Sequence, residues 1–235
     1  MNSHERYLER ASQRYHRALL NPEDPGELLG VKDYLTEHAI FSAAIIAAYR
    51  LGAVVRPMPG DERFAGMMAI PYLTRNGVKA LKFRNLGGHP KYAQRTGQSV
   101  RLYNTAAYFA ADGVIGIAEG EVDAIVATER LGIPTIGVPG AEMWKAHRDI
   151  WLPAFRNFQR VLMFTDGDAI NEKTGLRPGE ELGKAVAESL GWRVRIIDCP
   201  EGEDVSSMVA AGRGDELKAK FAEDDDEDDD EKVAA

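Results

Sequence analysis

Val114-Ile115-Gly116-Ile117-Ala118-Glu119-Gly120-Glu121-Val122-Asp123-Ala124 is an apolar run that ends in acids. The pattern returns at Val161-Leu162-Met163-Phe164-Thr165-Asp166-Gly167-Asp168-Ala169. Short continuous apolar runs closed by polar residues read as strands buried on both faces, the kind that build a parallel sheet. Between and beyond them the chain alternates. Val122 to Leu131 has helical character and stops at Gly132, and Ile133–Ile136 reads as a short strand with Gly137-Val138-Pro139-Gly140 as its exit. Met143 to about Phe155 is helical up to a break at Pro153, Glu180–Leu190 is helical, and Arg193–Asp198 is a last strand. Strand, helix, strand, helix in this order predicts an α/β fold with a parallel sheet flanked by helices.

The acids fall where those strands end. Oxygen ligands in octahedral geometry suit Mg²⁺, which keeps several waters and needs only one to three carboxylates. Gly167 lets the backbone bend so that Asp166 and Asp168 can face one ion. Glu119 ends another strand that the sheet can set beside Asp166. Asp123 stands one helical turn past Glu119, and Asp204 follows the last strand. A plainer reading stays open, because acids after strands also cap helices and Asp-Gly-Asp also occurs in ordinary turns.

Charge is distributed unevenly. The net charge of −8 comes from Glu223–Glu231, nine acids in a row, since residues 1–222 hold 28 bases and 28 acids. Residues 1–118 carry 15 bases against 10 acids, and no acid stands between Glu62 and Asp112. Arg63, Arg75, Lys79, Lys82, Arg84, Lys91, Arg95 and Arg101 occupy that stretch, interleaved with Tyr72, Phe83, Tyr92 and Tyr103. Bases mixed with aromatics suit a single-stranded nucleic acid, although half of those rings are expected in the core. Within it, Arg75-Asn76-Gly77 predicts a tight hairpin turn between Gly66–Leu73 and Val78–Arg84. The odd spacing of Lys79 and Lys82 implies an irregularity in the second strand.

The opening twenty residues form an amphipathic pattern ended by Asn21-Pro22. One or two short helices follow over Leu28–Leu51, with Gly52 as their C-cap. No apolar run approaches the roughly 18 residues of a membrane span, and no basic leader precedes an apolar stretch. One cysteine, Cys199, excludes an internal disulfide and a cysteine-based zinc site. These features predict a protein of a reducing cytoplasm.

Glu119-Gly120-x-x-Asp123-Ala124 followed by Asp166-x-Asp168 resembles the Toprim domain shared by primases, topoisomerases and some nucleases. Upstream, Tyr34–Ile40 and Tyr49–Gly52 are similar to the helical segment that precedes the core of bacterial-type DNA primases. Met68-Ala69-Ile70-Pro71, Lys82-Phe83-Arg84 and Pro90-Lys91-Tyr92 resemble three signatures of that family in their order. The resemblance spans residues 31–213. With the patterns above it divides the chain into a helical segment (1–60), a smaller basic α+β subdomain (61–112) and a Toprim domain (113–213), while the acidic composition of the tail (214–235) predicts disorder.

The implied activity is that of a DNA primase, a nucleotidyltransferase making short RNA primers from ribonucleoside triphosphates on single-stranded DNA with Mg²⁺ or Mn²⁺. The resemblance implies catalytic roles for Glu119, Asp166 and Asp168 and a metal set of Glu119, Asp123, Asp166, Asp168 and Asp204. Arg84 and Lys91 are the implied strand or nucleotide contacts, with Arg75, Lys79, Lys82 and Arg101 as neighbours. Ser206 stands where the family carries a second aspartate. The family's zinc module and helicase-docking region have no counterpart in the chain, which reads as an isolated polymerase core; a replicative helicase is an implied partner. Two other readings stand beside this one: a Toprim nuclease using the same metal, and a catalytically weak single-strand-binding subunit of a replisome.

Overall fold

The computed structural model describes residues 2–172 and 175–222. The acidic run Glu223–Glu231 lies outside them. Two compact units divide the chain. One runs to Val100 and includes Asn104–Ala106, and the other comprises Arg101–Tyr103 and the residues from Ala107 onward.

The first unit starts with helix α1, Ser3–Leu20, opened by a reciprocal cap in which Asn2 and Glu5 each bond the other's backbone N–H. Helices α2, Leu29–Glu37, and α3, Ala43–Ala48, follow. A four-stranded antiparallel sheet comes next in the order β1-β2-β3-β4, with β1 at Gly52–Ala53, β2 at Met68–Thr74, β3 at Gly77–Arg84 and β4 at Tyr92–Gln94. Leu8, Ala11 and Tyr15 of α1 pack onto Phe64, Val78, Leu81 and Phe83, and the Phe64 and Phe83 rings stack at 4.0 Å. The expected boundary at residue 60 is therefore absent. The helical segment supplies half the core of the basic sheet, and the two form one unit.

Gly52 is not the helix cap expected of it. It pairs with Ala69 in the sheet, and a Cβ there would lie 2.6 Å from the Tyr15 backbone carbon, so a glycine is what allows β1 to run against α1. The hairpin turn is Arg75-Asn76, with Gly77 already paired to Thr74. The irregularity in β3 is a bulge. Tyr72 faces Ala80 and Leu73 faces Val78, which leaves Lys79 as the extra residue. That extra residue lets Val78 and Leu81, three apart, both enter the core. Pro71 sits inside β2, where proline is ordinarily excluded. It is tolerated because β1 pairs only with Met68 and Ala69, leaving the Pro71 side of the strand without a neighbour in the sheet.

The second unit holds the parallel sheet. Strands β5 (Val114–Glu119), β6 (Thr135–Val138), β7 (Arg160–Thr165) and β8 (Val194–Asp198) are ordered β6-β5-β7-β8. Every pairing is parallel. A short helix α4, Ala107–Ala110, precedes β5. After β5 comes α5, Glu121–Val126, which widens into a π-turn over Ala127–Leu131 and ends on left-handed Gly132. Helix α6, Ala141–Trp151, packs with α7, Pro178–Leu190. Helix α8, Val205–Ala210, packs with α5 and with α9, Gly214–Ala222. Residues 214–222, expected to begin a disordered tail, are thus helical, with Leu217 fully buried. Trp144 and Trp151 are buried in this unit, while Trp192 is 90% exposed.

Val161 to Phe164 are all buried, as a strand covered on both sides requires. The strand order reverses direction between β5 and β7. Their carboxyl ends form a topological switch point, the place where open α/β sheets bind ligands.

Candidate active site

Glu119 closes β5 and Asp166 follows β7, so adjacent parallel strands deliver both acids to the switch point. The Glu119 carboxylate leans over Gly140, 3.2 Å from where a Cβ would stand, at the exit of β6. Two glycines enclose Asp166. A Cβ on Gly179 would come within 2.7 Å of its backbone nitrogen, and one on Gly167 would meet the Pro200 carbonyl oxygen at 1.8 Å. Backbone bonds from Gly167 N to Glu203 O and from Gly202 N to Gly167 O dock the segment after β8 against Asp166.

That docking brings in the remaining acids. Asp204 caps α8, its Oδ1 accepting from Ser207 N at 2.7 Å and from Ser206 Oγ at 2.8 Å. Asp123, buried in the first turn of α5, accepts from Ser206 N at 2.8 Å. Ser206 is fully buried and joins the two acids, one through its backbone and the other through its hydroxyl. The residue type at 206 marks a departure from the family pattern, but nothing in the sequence signals this bridging role. The capping reading of an acid after a strand is correct for Asp204. Asp168 is exposed at the rim.

This placement sets the electrostatics of the acids. Burial, then the charges of Asp123, Glu119, Asp204 and Asp168, push Asp166 far above the usual carboxylate range. Burial and Asp204 raise Asp123, against the opposing bonds from Ser206. Burial and the same acids hold the Cys199 thiol up at about 12, so it is inert as a nucleophile. Among the described residues no three Asp, Glu, His or Cys side chains stand in finished metal-ligating geometry. The chemistry of the set still fits a hard divalent cation. The donors are all carboxylate, and Asp166 Oδ1 is buried with no hydrogen-bond partner among the described residues.

The basic residues sort differently. Arg84 lies between the rings of Tyr34, at 4.9 Å, and Tyr92, at 4.7 Å, and its buried Nε has no hydrogen-bond partner among the described residues. Lys82 sits over the same Tyr92 ring at 4.1 Å, and Lys91 is the exposed residue just before it. The Lys79 ammonium is bound to Glu5 of α1 at 2.6 Å, which fastens the bulge. Arg75 is at the hairpin tip, and Arg101 belongs to the second unit. Arg95 is held by Asp61 and Tyr7. Of the four interleaved aromatics, Tyr72, Phe83 and Tyr103 are core and only Tyr92 lies partly open beside the bases.

With this geometry in place, comparison with known proteins defines the class. The chain has the fold of bacterial-type primase catalytic cores, Toprim domain included. A DNA primase domain from Pseudomonas aeruginosa superposes with a TM-score of 0.67 at 21% identity, over 93% of this chain and 78% of that one. A DnaG primase catalytic domain bound to single-stranded DNA superposes with a TM-score of 0.65 at 19% identity, over 94% and 80%. In sequence, the chain is 44% identical over 161 residues to the Gene 57 protein of Mycobacterium phage D29, covering 66% of this chain and 97% of that protein. It belongs to the family of that phage protein. No family model matches the chain. No helix of the described residues is long and apolar enough to cross a membrane.

Proposed function

We propose that this chain is a primase catalytic core, a nucleotidyltransferase that joins ribonucleoside triphosphates into short RNA primers on a single-stranded DNA template. The observation that carries this reading is Asp166 at the switch point of a primase fold, with four further carboxylates, Asp123, Glu119, Asp204 and Asp168, near enough to raise it. Glu119, Asp166 and Asp168 are the residues that would hold Mg²⁺ or Mn²⁺, with Asp123 and Asp204 close behind and anchored to α8. A divalent cation bound there would neutralise triphosphate charge, which favours attack of the 3′-hydroxyl on the α-phosphate with release of pyrophosphate.

The chain's own residues then have separate tasks. Glu119, half-buried at the end of β5, accepts the proton of the attacking 3′-hydroxyl. Asp123 and Asp204, tied by Ser206, keep the acid group rigid. Lys82, Arg84 and Lys91 contact phosphates of the template or the incoming nucleotide, and Tyr92 offers a ring edge to a base. Incubation with template, ribonucleotides and Mn²⁺ or Mg²⁺ should yield oligoribonucleotides. Glu119→Gln and Asp166→Asn should each lower the yield at least about 100-fold, in the range seen when one transition-state contact is removed. No product from the unaltered protein would sink the proposal, and shortened DNA in the same lanes would identify a nuclease instead.

A second reading, a strand-binding replication subunit without catalysis, draws on one observation. Asp123 and Asp204 already spend oxygens on the α8 backbone and on Ser206. Metal-independent binding of single-stranded DNA, unchanged by Asp166→Asn and accompanied by no product, would favour it.

A further inference from the structure

Helix α1 carries a row of arginines that the site above does not use. Arg6, Arg10, Arg14 and Arg17 recur at four, four and three residues, so they share one face of the helix over roughly 16 Å of its axis. The face is opposite the buried residues Leu8, Ala11 and Tyr15. The acids of α1 do not offset it, because Glu5 is paired with Lys79 and Glu9 with Arg50. Arg6 and Arg10 have no ion pair or hydrogen bond among the described residues. Arg14 spends only Nε on the Arg56 carbonyl, at 2.9 Å, and leaves one edge of its guanidinium outward save for a 3.9 Å contact to the Met58 sulfur.

Three of these arginines border a cavity of about 560 Å³ between α1 and the segment Val55–Met58. Arg10, Arg14, Arg17 and Arg56 line it, and Val55, Met58 and Ala18 give it an apolar floor. Glu23 and Glu27 lie at its far side, with Glu23 engaged in a two-point pair with Arg56. Four cations thus meet two acids, and every cation is an arginine, whose planar fork suits phosphate oxygens.

We infer that this groove in the first unit is a binding track for the sugar–phosphate backbone of a single nucleic-acid strand. The row is longer than a nucleoside triphosphate's phosphate chain and is open along the helix. Its step of about 6 Å for each four-residue interval is close to the distance between successive phosphates of an extended strand. The apolar floor accepts sugar and base edges. The identity of the ligand rests on the nucleic-acid reading above, while the site itself is separate from Lys82, Arg84 and Tyr92.

The test is anisotropy of a labelled oligothymidylate with the full chain across roughly 50–200 mM salt, the range over which phosphate contacts are read out. R10A/R14A/R17A should bind at least tenfold more weakly at low salt. Its log–log salt slope should be flatter by about 2, at about 0.7 per phosphate contact on a single strand. R10K/R14K/R17K should keep the slope. K145A/R148A/K218A, which removes the same charge from the second unit, should also keep it. An alanine triple variant with unaltered slope and unaltered melting temperature overturns the inference. So does loss of poly-glutamate binding in that variant with oligothymidylate binding intact, which would assign the groove to an acidic protein. Primer synthesis measured in parallel separates the two proposals: groove-dependent binding without product leaves the track standing and removes the primase reading.

Discussion

Asp61 is fully buried and holds three partners with one carboxylate: Tyr7 at 2.5 Å, Tyr15 at 2.6 Å and Arg95 at 2.5 Å. Tyr15 also accepts from Met58 N, so the network ties α1 to the loop ahead of β2 and to the chain after β4. Both tyrosines are pushed upward, by burial first and the Asp61 carboxylate second. Asp61→Ala should cost about 3 kcal/mol, since it strands Arg95 and two hydroxyls, and Tyr7→Phe about 1 kcal/mol. Urea unfolding checks both, and equal losses would show that the carboxylate is not the centre of the network. At this scale the acids of the candidate site were legible because Glu119 and Asp166 each stand directly behind an apolar run. Ser206, Asp61 and the Lys79–Glu5 pair were not. Their roles depend on partners 83, 54 and 74 residues away, and a hydroxyl or an ion pair leaves no periodic trace.

Elements were easier to read than their joints. The central parallel strands β5 and β7 announced themselves by their apolar runs, and the π-widened helix after β5 stopped at Gly132 as its sequence requires. Gly52 was misread because a glycine behind a helix looks the same whether it caps that helix or admits a neighbour. Only the packing of β1 on α1 distinguishes the two. Gly52→Ala should therefore destabilise the first unit by about 2 kcal/mol through overpacking, detectable in thermal melts, whereas a cap glycine replaced by alanine would cost less than half as much. The bulge makes a sharper demand. Deleting Lys79 would set Val78 two residues before Leu81, so strict alternation keeps both on the core face. The deletion should therefore melt close to K79A, which likewise loses the pair with Glu5. A deletion that melts well below K79A would mean that the bulge itself, and not only the ion pair, holds β3 in register.

Across the whole molecule, the acid cluster links stability to pH. Asp166 and Asp123 have folded-state values above the ordinary carboxylate value of about 4. Between that value and their raised ones, the folded chain binds more protons than the unfolded one. Stability contributed by the two groups is therefore complete below about pH 4 and is lost as pH rises. Without divalent metal the protein should melt lower at pH 8 than at pH 5.5. Asp166→Asn should remove most of that difference, and Mg²⁺ should restore the pH 8 value by about 2.7 kcal/mol at a hundredfold excess over its dissociation constant. A flat melting profile would show that the carboxylates do not strain the fold. Which unit is melting can be seen directly. All three tryptophans, Trp144, Trp151 and Trp192, belong to the second unit. The molecule is optically one-sided: excitation at the red edge of the protein band lights the carboxylate-bearing half alone. Two buried indoles there report its unfolding and one exposed indole stays accessible to quenchers, while the arginine-bearing half remains dark.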